Sequence, residues 1–380
     1  MSRSASWIRV RAGPTALSVV GGVGDDRSMH RSIVPPYLLA RIAENAGDRA
    51  MPAAARAAQR ALLSDGPVRL AGARAPRYAD FGRGGAAASG PQRTIHDAES
   101  TETVPGVVVR READPATGDP AADEAYDGLG ATYALFASAY GRDSIDGNGL
   151  ALDATVHYGD EYDNAFWDGE RMVFGDGDGE IFRRFTVSLS VIGHELAHGV
   201  TQFSADLPYQ GQSGALNESV SDVFGSLVEQ HSRQQTAAEA SWLIGEGLFT
   251  DAVEGRALRS MSAPGTAYDD DVLGRDPQPA HMDFFVDTLE DNGGVHINSG
   301  IPNRAFHLAA TAIGGFAWEG AGAVWYDTLT RGSISGETDF DSFAAATVRV
   351  ARARWGRRAS QSEAVVDAWR TVGVEPEAAR

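Results

Sequence analysis

The sequence predicts a two-part α+β fold, a sheet-rich half followed by a mainly helical half, with one histidine-bearing helix joining them. Three observations lead there. From Thr94 to about Leu189 the chain mixes alternating strand-like runs with a single helical stretch, whereas beyond residue 190 its apolar residues recur at helical spacing. At 380 residues the chain exceeds one ordinary domain, and a hydrophobic content of 43% is enough to fill two cores. The N-terminal stretch fits neither pattern and reads as a leader and prosegment.

Taken in order, residues 1–28 carry Arg3, Arg9 and Arg11 before a weak apolar stretch, Ala16 to Val23, which Gly21 and Gly22 interrupt. That makes a poor signal peptide, and Met29 is an alternative start. Ser32 to Leu39 is the first segment composed for packing, and residues 37–63 read as helical and Ala-rich. The run Gly82 to Pro91, rich in Gly and Ala, reads as a flexible linker, and the boundary between prosegment and mature chain is placed there. Strand-like runs follow at Val104 to Val109 and Val156 to Phe174, with a helix over Ala122 to Tyr140. Between Phe185 and Thr201, residues Val187, Val191, His194, Leu196, His198 and Thr201 fall at roughly helical spacing without proline. A Gly/Pro-bearing loop, Leu207 to Ser213, leads into a second helix from about Gly214 to Gln230, and further helices are expected at 302–315, 337–355 and 361–372. The expected division is 1–28, leader or misassigned start; 29–91, prosegment and linker; 92–203, sheet-rich domain; 204–377, helical domain.

Composition excludes several classes. The longest apolar candidate, His307 to Trp318, is broken by Gly314 and Gly315, so no membrane span is expected. With no Cys there are no disulfides, and cysteine usage says nothing about compartment. Residues 1–94 hold 14 Arg against 6 Asp+Glu, a net of +8; subtraction from 33 and 52 leaves 19 against 46, a net of −27, for the rest. Such asymmetry suits a basic leader docking on an acidic body, and the acidic body argues against a nucleic-acid partner. All 33 basic residues are Arg, which GC-rich codon usage explains.

The chemistry lies in His194-Glu195-Leu196-Ala197-His198, with Glu218 twenty residues on. On a helix, positions i and i+4 lie on one face about 6 Å apart, so both imidazoles can reach one metal ion. Glu195 then sits beside that ion without binding it, free to act as a base. Three protein ligands leave a tetrahedral position open, as in catalytic zinc sites; a structural site would close it, usually with Cys. Glu218 and Asp222 are four apart on the second helix, so one can ligate while the other hydrogen-bonds a ligating imidazole.

With these residues, the segments Asn164-Ala165-Phe166-Trp167, Gly293 to Gly300 and Ala364 to Val374 make the chain resemble the thermolysin family of metallopeptidases from about Arg93 to Val374. Thermolysin is itself the standing example of a His/His/Glu zinc site. The prosegment run Pro35-Pro36-Tyr37-Leu38 resembles the protealysin branch, which has a short proregion. The resemblance implies a two-domain fold with zinc in the cleft between the halves. It further implies a secreted, monomeric endopeptidase for peptide and protein substrates, made as a precursor that its own prosegment inhibits. Residue by residue, it implies His194, His198 and Glu218 as ligands, Glu195 as the base that activates the attacking water, and Asp222 and Asn217 as orienters of the imidazoles. His296, held by Asp291, and Tyr209 would stabilise the oxyanion. Asn164 and the backbone of Ala165 would grip the substrate main chain, and Arg259 a substrate carbonyl. Phe182, Phe185, Val191, Ile244 and Leu258 would wall a pocket for a large hydrophobic residue just after the cut bond.

At the family's double calcium site the chain departs. Glu229 and Glu246 persist, but Ser190, Ser241 and Leu243 stand where carboxylates are usual, leaving at most a single calcium there. Asp176-Gly177-Asp178-Gly179 lacks a calcium loop's acidic ladder and reads as a turn. His157, His231, His281 and His307 read as structural. The competing functions are a catalytically silent, zinc-stapled binding protein and a zinc exopeptidase or amidase. The competing location is the cytoplasm.

Overall fold

The computed structural model describes residues 31–64, 90–331, 334, 336 and 338–376. The expected leader lies outside the described residues, as does nearly all of the expected linker. The described part of the N-terminal segment opens with a short strand, Arg31–Ser32 (β1), followed by helices Pro36–Asn45 (α1) and Pro52–Ser64 (α2). Pro35 and Pro36 set this up: Pro35 is extended, and Pro36 occupies the first helical position, where no N–H is needed. Helix α1 buries Leu38, Leu39 and Ile42, each contributing roughly 1.5–3 kcal/mol of apolar burial.

The sheet-rich half is built from Arg93–Asp97 (β2), Val107–Arg111 (β3), the helix Pro120–Tyr140 (α3), Leu152–Val156 (β4), Ala165–Trp167 (β5) and Met172–Phe174 (β6). Among the described residues these strands form one six-stranded sheet, ordered β1-β5-β6-β4-β2-β3. Its outermost strand beside β5 is the prosegment's own β1, which pairs antiparallel with Arg31 opposite Trp167 and Ser32 opposite Phe166. The alternating run Val156 to Phe174 is not one strand. His157, Gly159 and Glu161 have left-handed φ, which breaks the extended chain and leaves β5 and β6 as an antiparallel pair.

The helix Leu189–Gln202 (α4) joins the halves and is buried from Ser190 to Thr201, as a central helix without a polar face must be. Helix Gly211–Arg233 (α5) packs along it and begins three residues before the expected Gly214. Its first turn is held from outside: the side chain of Gln212 accepts from Phe340 N, and Ser213 donates to Gly336 O. The two helices cross closely at glycines. A Cβ on Gly225 would lie 2.4 Å from Ser190 O, and one on Gly193 would lie 3.0 Å from Gly225 Cα.

The rest is mainly helical. Two-residue strands Leu243–Ile244 (β7), Arg259–Ser260 (β8), Asp269–Asp270 (β9) and Gly274–Arg275 (β10) make two small ribbons. Helices Asp291–Asn298 (α6), Gly300–Ile313 (α7), Ala321–Thr330 (α8), Phe340–Trp355 (α9) and Ser360–Thr371 (α10) follow, and α7, α9 and α10 lie close to the expected spans. Trp325 and Trp369 stack at their centre, and Trp369 Nε1 donates to Thr347 Oγ1. The sheet-rich and helical halves meet along α4, as the sequence predicts.

Candidate active site

Helix α4 supplies His194 and His198 on one face, and α5 supplies Glu218; all three are fully buried, and their ligand atoms lie within 4.8 Å of one another. The protonation pattern shows what belongs between them. His194 Nδ1 lies 2.8 Å from Asp222 Oδ1, and His198 Nδ1 lies 2.8 Å from Asn217 Oδ1. Asn217 donates its amide to Leu207 O, which fixes its oxygen toward His198. Both imidazoles therefore carry their proton on Nδ1, and two bare Nε2 lone pairs face each other at 3.1 Å. Glu218 Oε2, 3.5 Å from His194 Nε2, has no hydrogen-bond partner. Three acceptors converging without a donor repel one another unless a cation sits among them, and a His/His/carboxylate set suits zinc. Burial pushes His198 down to about 4, so it is neutral and able to ligate.

Asp222 is the hub of the surroundings. It accepts from His194, from Arg259 through Nε and Nη2, and from Asn303 Nδ2, each at 2.8 Å. Burial opposes its ionisation, but Arg259 and His194 hold it down at about 2. Arg259 is thus a fully buried partner of the ligand cluster.

Glu195 lies on α4 between the ligands; Oε2 accepts from Trp167 N at 3.1 Å, and the buried Oε1 has no partner. Burial and the charge of Glu218 push its carboxyl well above the usual range, which suits a group that takes and returns a proton near neutral pH. Across the site, His296 Nδ1 lies 2.6 Å from Asp291 Oδ1, and its Nε2 lies 3.1 Å from the carbonyl oxygen of Ser32. Both partners only accept, so this imidazole is doubly protonated. Burial works against that charge, yet Asp291 and Glu218 raise His296 to about 9. Asn292, Gly293 and Gly294 take left-handed φ, a turn that brings Asp291 back against the His296 ring and backbone N–H. Tyr209 donates to Glu218 and lies 3.1 Å from His296 Nε2.

The prosegment occupies the cleft. Ile33 N donates to Ala165 O at 3.1 Å, Val34 N to Asn164 Oδ1 at 2.9 Å, and Asn164 Nδ2 to Val34 O at 3.3 Å. Arg259 Nη1 donates to Ile33 O at 3.1 Å, and Arg31 stands over the Tyr209 ring. Ile33 and Val34 are both fully buried in the hydrophobic core, to which Phe182, Phe185, Val191, Ile244 and Leu258 also belong.

The polar residues singled out from the sequence thus lie in one linked neighbourhood, Phe182, Phe185, Val191, Ile244 and Leu258 are buried in the core, and the residues considered for calcium have other surroundings. Glu229 instead pairs with Arg233 one turn along α5, and Glu246 is exposed. Asp176 and Asp178 lie in an irregular loop, where Asp178 Oδ1 accepts from Glu180 N and Ile181 N. Sequence reasoning missed Ser221, 3.0 Å from His198 Nδ1, although it sits four residues after Asn217 on the same helical face. It also missed Asn303 and the backbone of Trp167, for which no local signal exists.

Two family models match the chain: thermolysin metallopeptidase, catalytic domain, over residues 88–202, and thermolysin metallopeptidase, alpha-helical domain, over residues 205–374. The extracellular metalloprotease of Pectobacterium carotovorum subsp. carotovorum is 50% identical over 344 residues, 90% of this chain and 96% of the relative. Protease PrtS of Photorhabdus sp. (strain Az29) is 52% identical over 285 residues, 74% of this chain and 76% of the relative. Among solved structures, the precursor of protealysin, a metalloproteinase from Serratia proteamaculans, matches with a TM-score of 0.82 at 51% identity, covering 90% of this chain and 99% of that one.

Proposed function

The chain belongs to the thermolysin family of metallopeptidases and is a zinc endopeptidase, and on that footing we propose how its residues divide the work. His194, His198 and Glu218 hold the zinc, with Asp222, Asn217 and Ser221 orienting the two imidazoles. When bound, zinc supplies a Lewis acid that polarises water and carbonyl oxygen. Glu195 takes the proton of the attacking water and returns it to the departing amine. The imidazolium of His296, held by Asp291, donates toward the carbonyl oxygen as it gains charge, and Tyr209 assists. Asn164, Ala165 and Arg259 fix the substrate main chain, and the pocket of Phe182, Phe185, Val191, Ile244 and Leu258 favours a large hydrophobic residue just after the cut bond.

The observation that carries this reading is the peptide already in the cleft: Ser32 to Val34 touches His296, Arg259, Asn164 and Ala165 beside the metal-ligand cluster. That peptide is an internal stretch of the sequence, which supports cutting inside chains rather than trimming ends. Because it fills the cleft, the prosegment is an inhibitor in this reading. Relatives named as extracellular support secretion, and among the described residues no helix is long and apolar enough to cross a membrane.

The test uses peptides blocked at both ends, incubated with the zinc-loaded enzyme after removal of its prosegment and mapped by mass spectrometry. Cuts before Leu, Ile or Phe that vanish with chelator are expected. Blocked peptides left intact would point to an exopeptidase, and no cleavage of any peptide to a silent zinc-stapled protein.

A further inference from the structure

The prosegment does more than cover the cleft. Three independent contacts fix both its direction and its register. The carbonyl that His296 approaches belongs to Ser32, 3.1 Å away. The next residue, Ile33, donates its N–H to Ala165 O, and its own carbonyl is held by Arg259, which sits opposite Ile244 in the β7–β8 ribbon. The residue after that, Val34, is held at both N–H and C=O by Asn164. In the site as read above, the pocket takes the residue that follows the cut bond. The order carbonyl at His296, main chain between Ala165 and the Arg259 that sits opposite the pocket residue Ile244, then main chain on Asn164 is therefore the order of a substrate and not of a reversed peptide.

Resting on that reading of the site, we propose that Ser32–Ile33 is a self-processing bond, seated in the direction and register for hydrolysis by the chain's own active site. Water oxygen bonds to the Ser32 carbonyl carbon, the Ser32–Ile33 C–N bond breaks, and Glu195 passes the water's proton to the Ile33 nitrogen. The products are a Ser32 carboxylate and an Ile33 amine. Glu195 is placed for this: its Oε2 accepts from the N–H of Trp167, the strand partner of Arg31, and its Oε1 is free.

The cut does not release the enzyme. Residues from Ile33 onward remain tied to the body through α1 and α2: Glu180 accepts from Ala53 N and Ala54 N at the start of α2, Arg49 pairs with Asp271, and Arg60 pairs with Glu161 and Asp160. Ile33 stays in the cleft, its main chain held by Ala165 and Arg259, as part of a bound product. Activity appears only after a later cut nearer the mature chain frees the prosegment.

The test follows purified, zinc-loaded full-length chain over time by intact-mass and N-terminal mass spectrometry, over a tenfold range of protein concentration. A new N-terminus at Ile33 is expected, formed at a concentration-independent rate and before any cut within 65–91. It should be absent in Glu195→Gln, retained in Ile33→Leu, and at least tenfold slower in Ile33→Ala and Ile33→Asp. Failure of an Ile33 N-terminus to form while the chain stays latent and is cut in 65–91 would overturn the register while leaving inhibition intact. A rate proportional to concentration would overturn the seated geometry. A binding readout separates the underlying reading: a fluorescent end-blocked peptide should bind full-length Glu195→Gln at least tenfold more weakly than it binds the Ile33→Asp form of that chain. Equal binding would show that the prosegment does not hold the cleft at all.

Discussion

Asp222 satisfies four donors from three side chains, so its variants should separate charge from shape. Asp222→Asn keeps the volume but weakens the His194 contact and leaves Arg259 short of a charge partner; zinc affinity should fall about 10–100-fold, read by competition with a chromophoric chelator. Asp222→Ala strands a buried guanidinium and should cost about 3–5 kcal/mol in chemical denaturation. Glu195→Gln should leave zinc content unchanged and lower peptide hydrolysis by roughly three orders of magnitude or more; a rate near wild type would remove Glu195 from the mechanism. At this scale the ligands, Glu195 and Asp222 were legible because helical spacing alone puts them on facing surfaces. Asn303 was not, since its contact with Asp222 spans 81 residues and depends on how α7 meets α5.

At the level of elements, the α4–α5 crossing sets the metal site, because two ligands come from one helix and the third from the other. Gly225→Ala places a methyl against the Ser190 carbonyl, backbone that cannot swing aside. The helices must separate, costing about 1–3 kcal/mol, and zinc affinity should fall with the loss of ligand geometry; calorimetry with and without zinc measures both. A second element is the clamp of His157 between Asp176 and Asp119, at 2.8 Å and 2.7 Å, which ties the loop after β4 to the start of α3. The hydrogen bond to Asp176 is the main cause that raises His157 to about 9, with burial opposing and Asp119 adding. A raised pKa means the clamp contributes fully below the ordinary value near 6.5 and fades as pH climbs through about 9. Partial exposure limits it to about 1 kcal/mol, so the melting temperature of His157→Gln should lie roughly 2 °C below wild type at about pH 6. That gap should close once the pH passes well above the raised value; a gap that persists would show the clamp is not ionic. Helices α3, α4, α5, α7, α9 and α10 were legible to within a few residues because their apolar period is long, whereas the stretch 37–63 divides into α1 and α2, and α6 and α8 were not foreseen. The strands were not, because β5 and β6 are three residues each and the left-handed positions between β4 and β5 carry no strong sequence mark.

For the whole molecule, the prosegment is part of the sheet rather than an appendage: β1 extends it at β5, and its helices meet an acidic body with arginines. Those arginine pairs are largely exposed and contribute little each. The basic-to-acidic asymmetry and the Pro-Pro-Tyr-Leu run made docking legible in the sequence. The seat of Ser32 to Val34 in the cleft was not, because it rests on contacts such as that of Ser32 with His296, which spans 264 residues and exists only once both halves are folded. The central claim is that one zinc ion sits where the three ligands converge, with the prosegment laid across it. It is tested most directly by zinc-edge anomalous diffraction from crystals of the full-length Glu195→Gln chain grown with zinc. The account predicts one strong peak among His194, His198 and Glu218, with Ser32 to Val34 ordered along Asn164 and the Ser32 carbonyl turned toward His296. Crystals saturated with zinc that show no peak among those three side chains would contradict it.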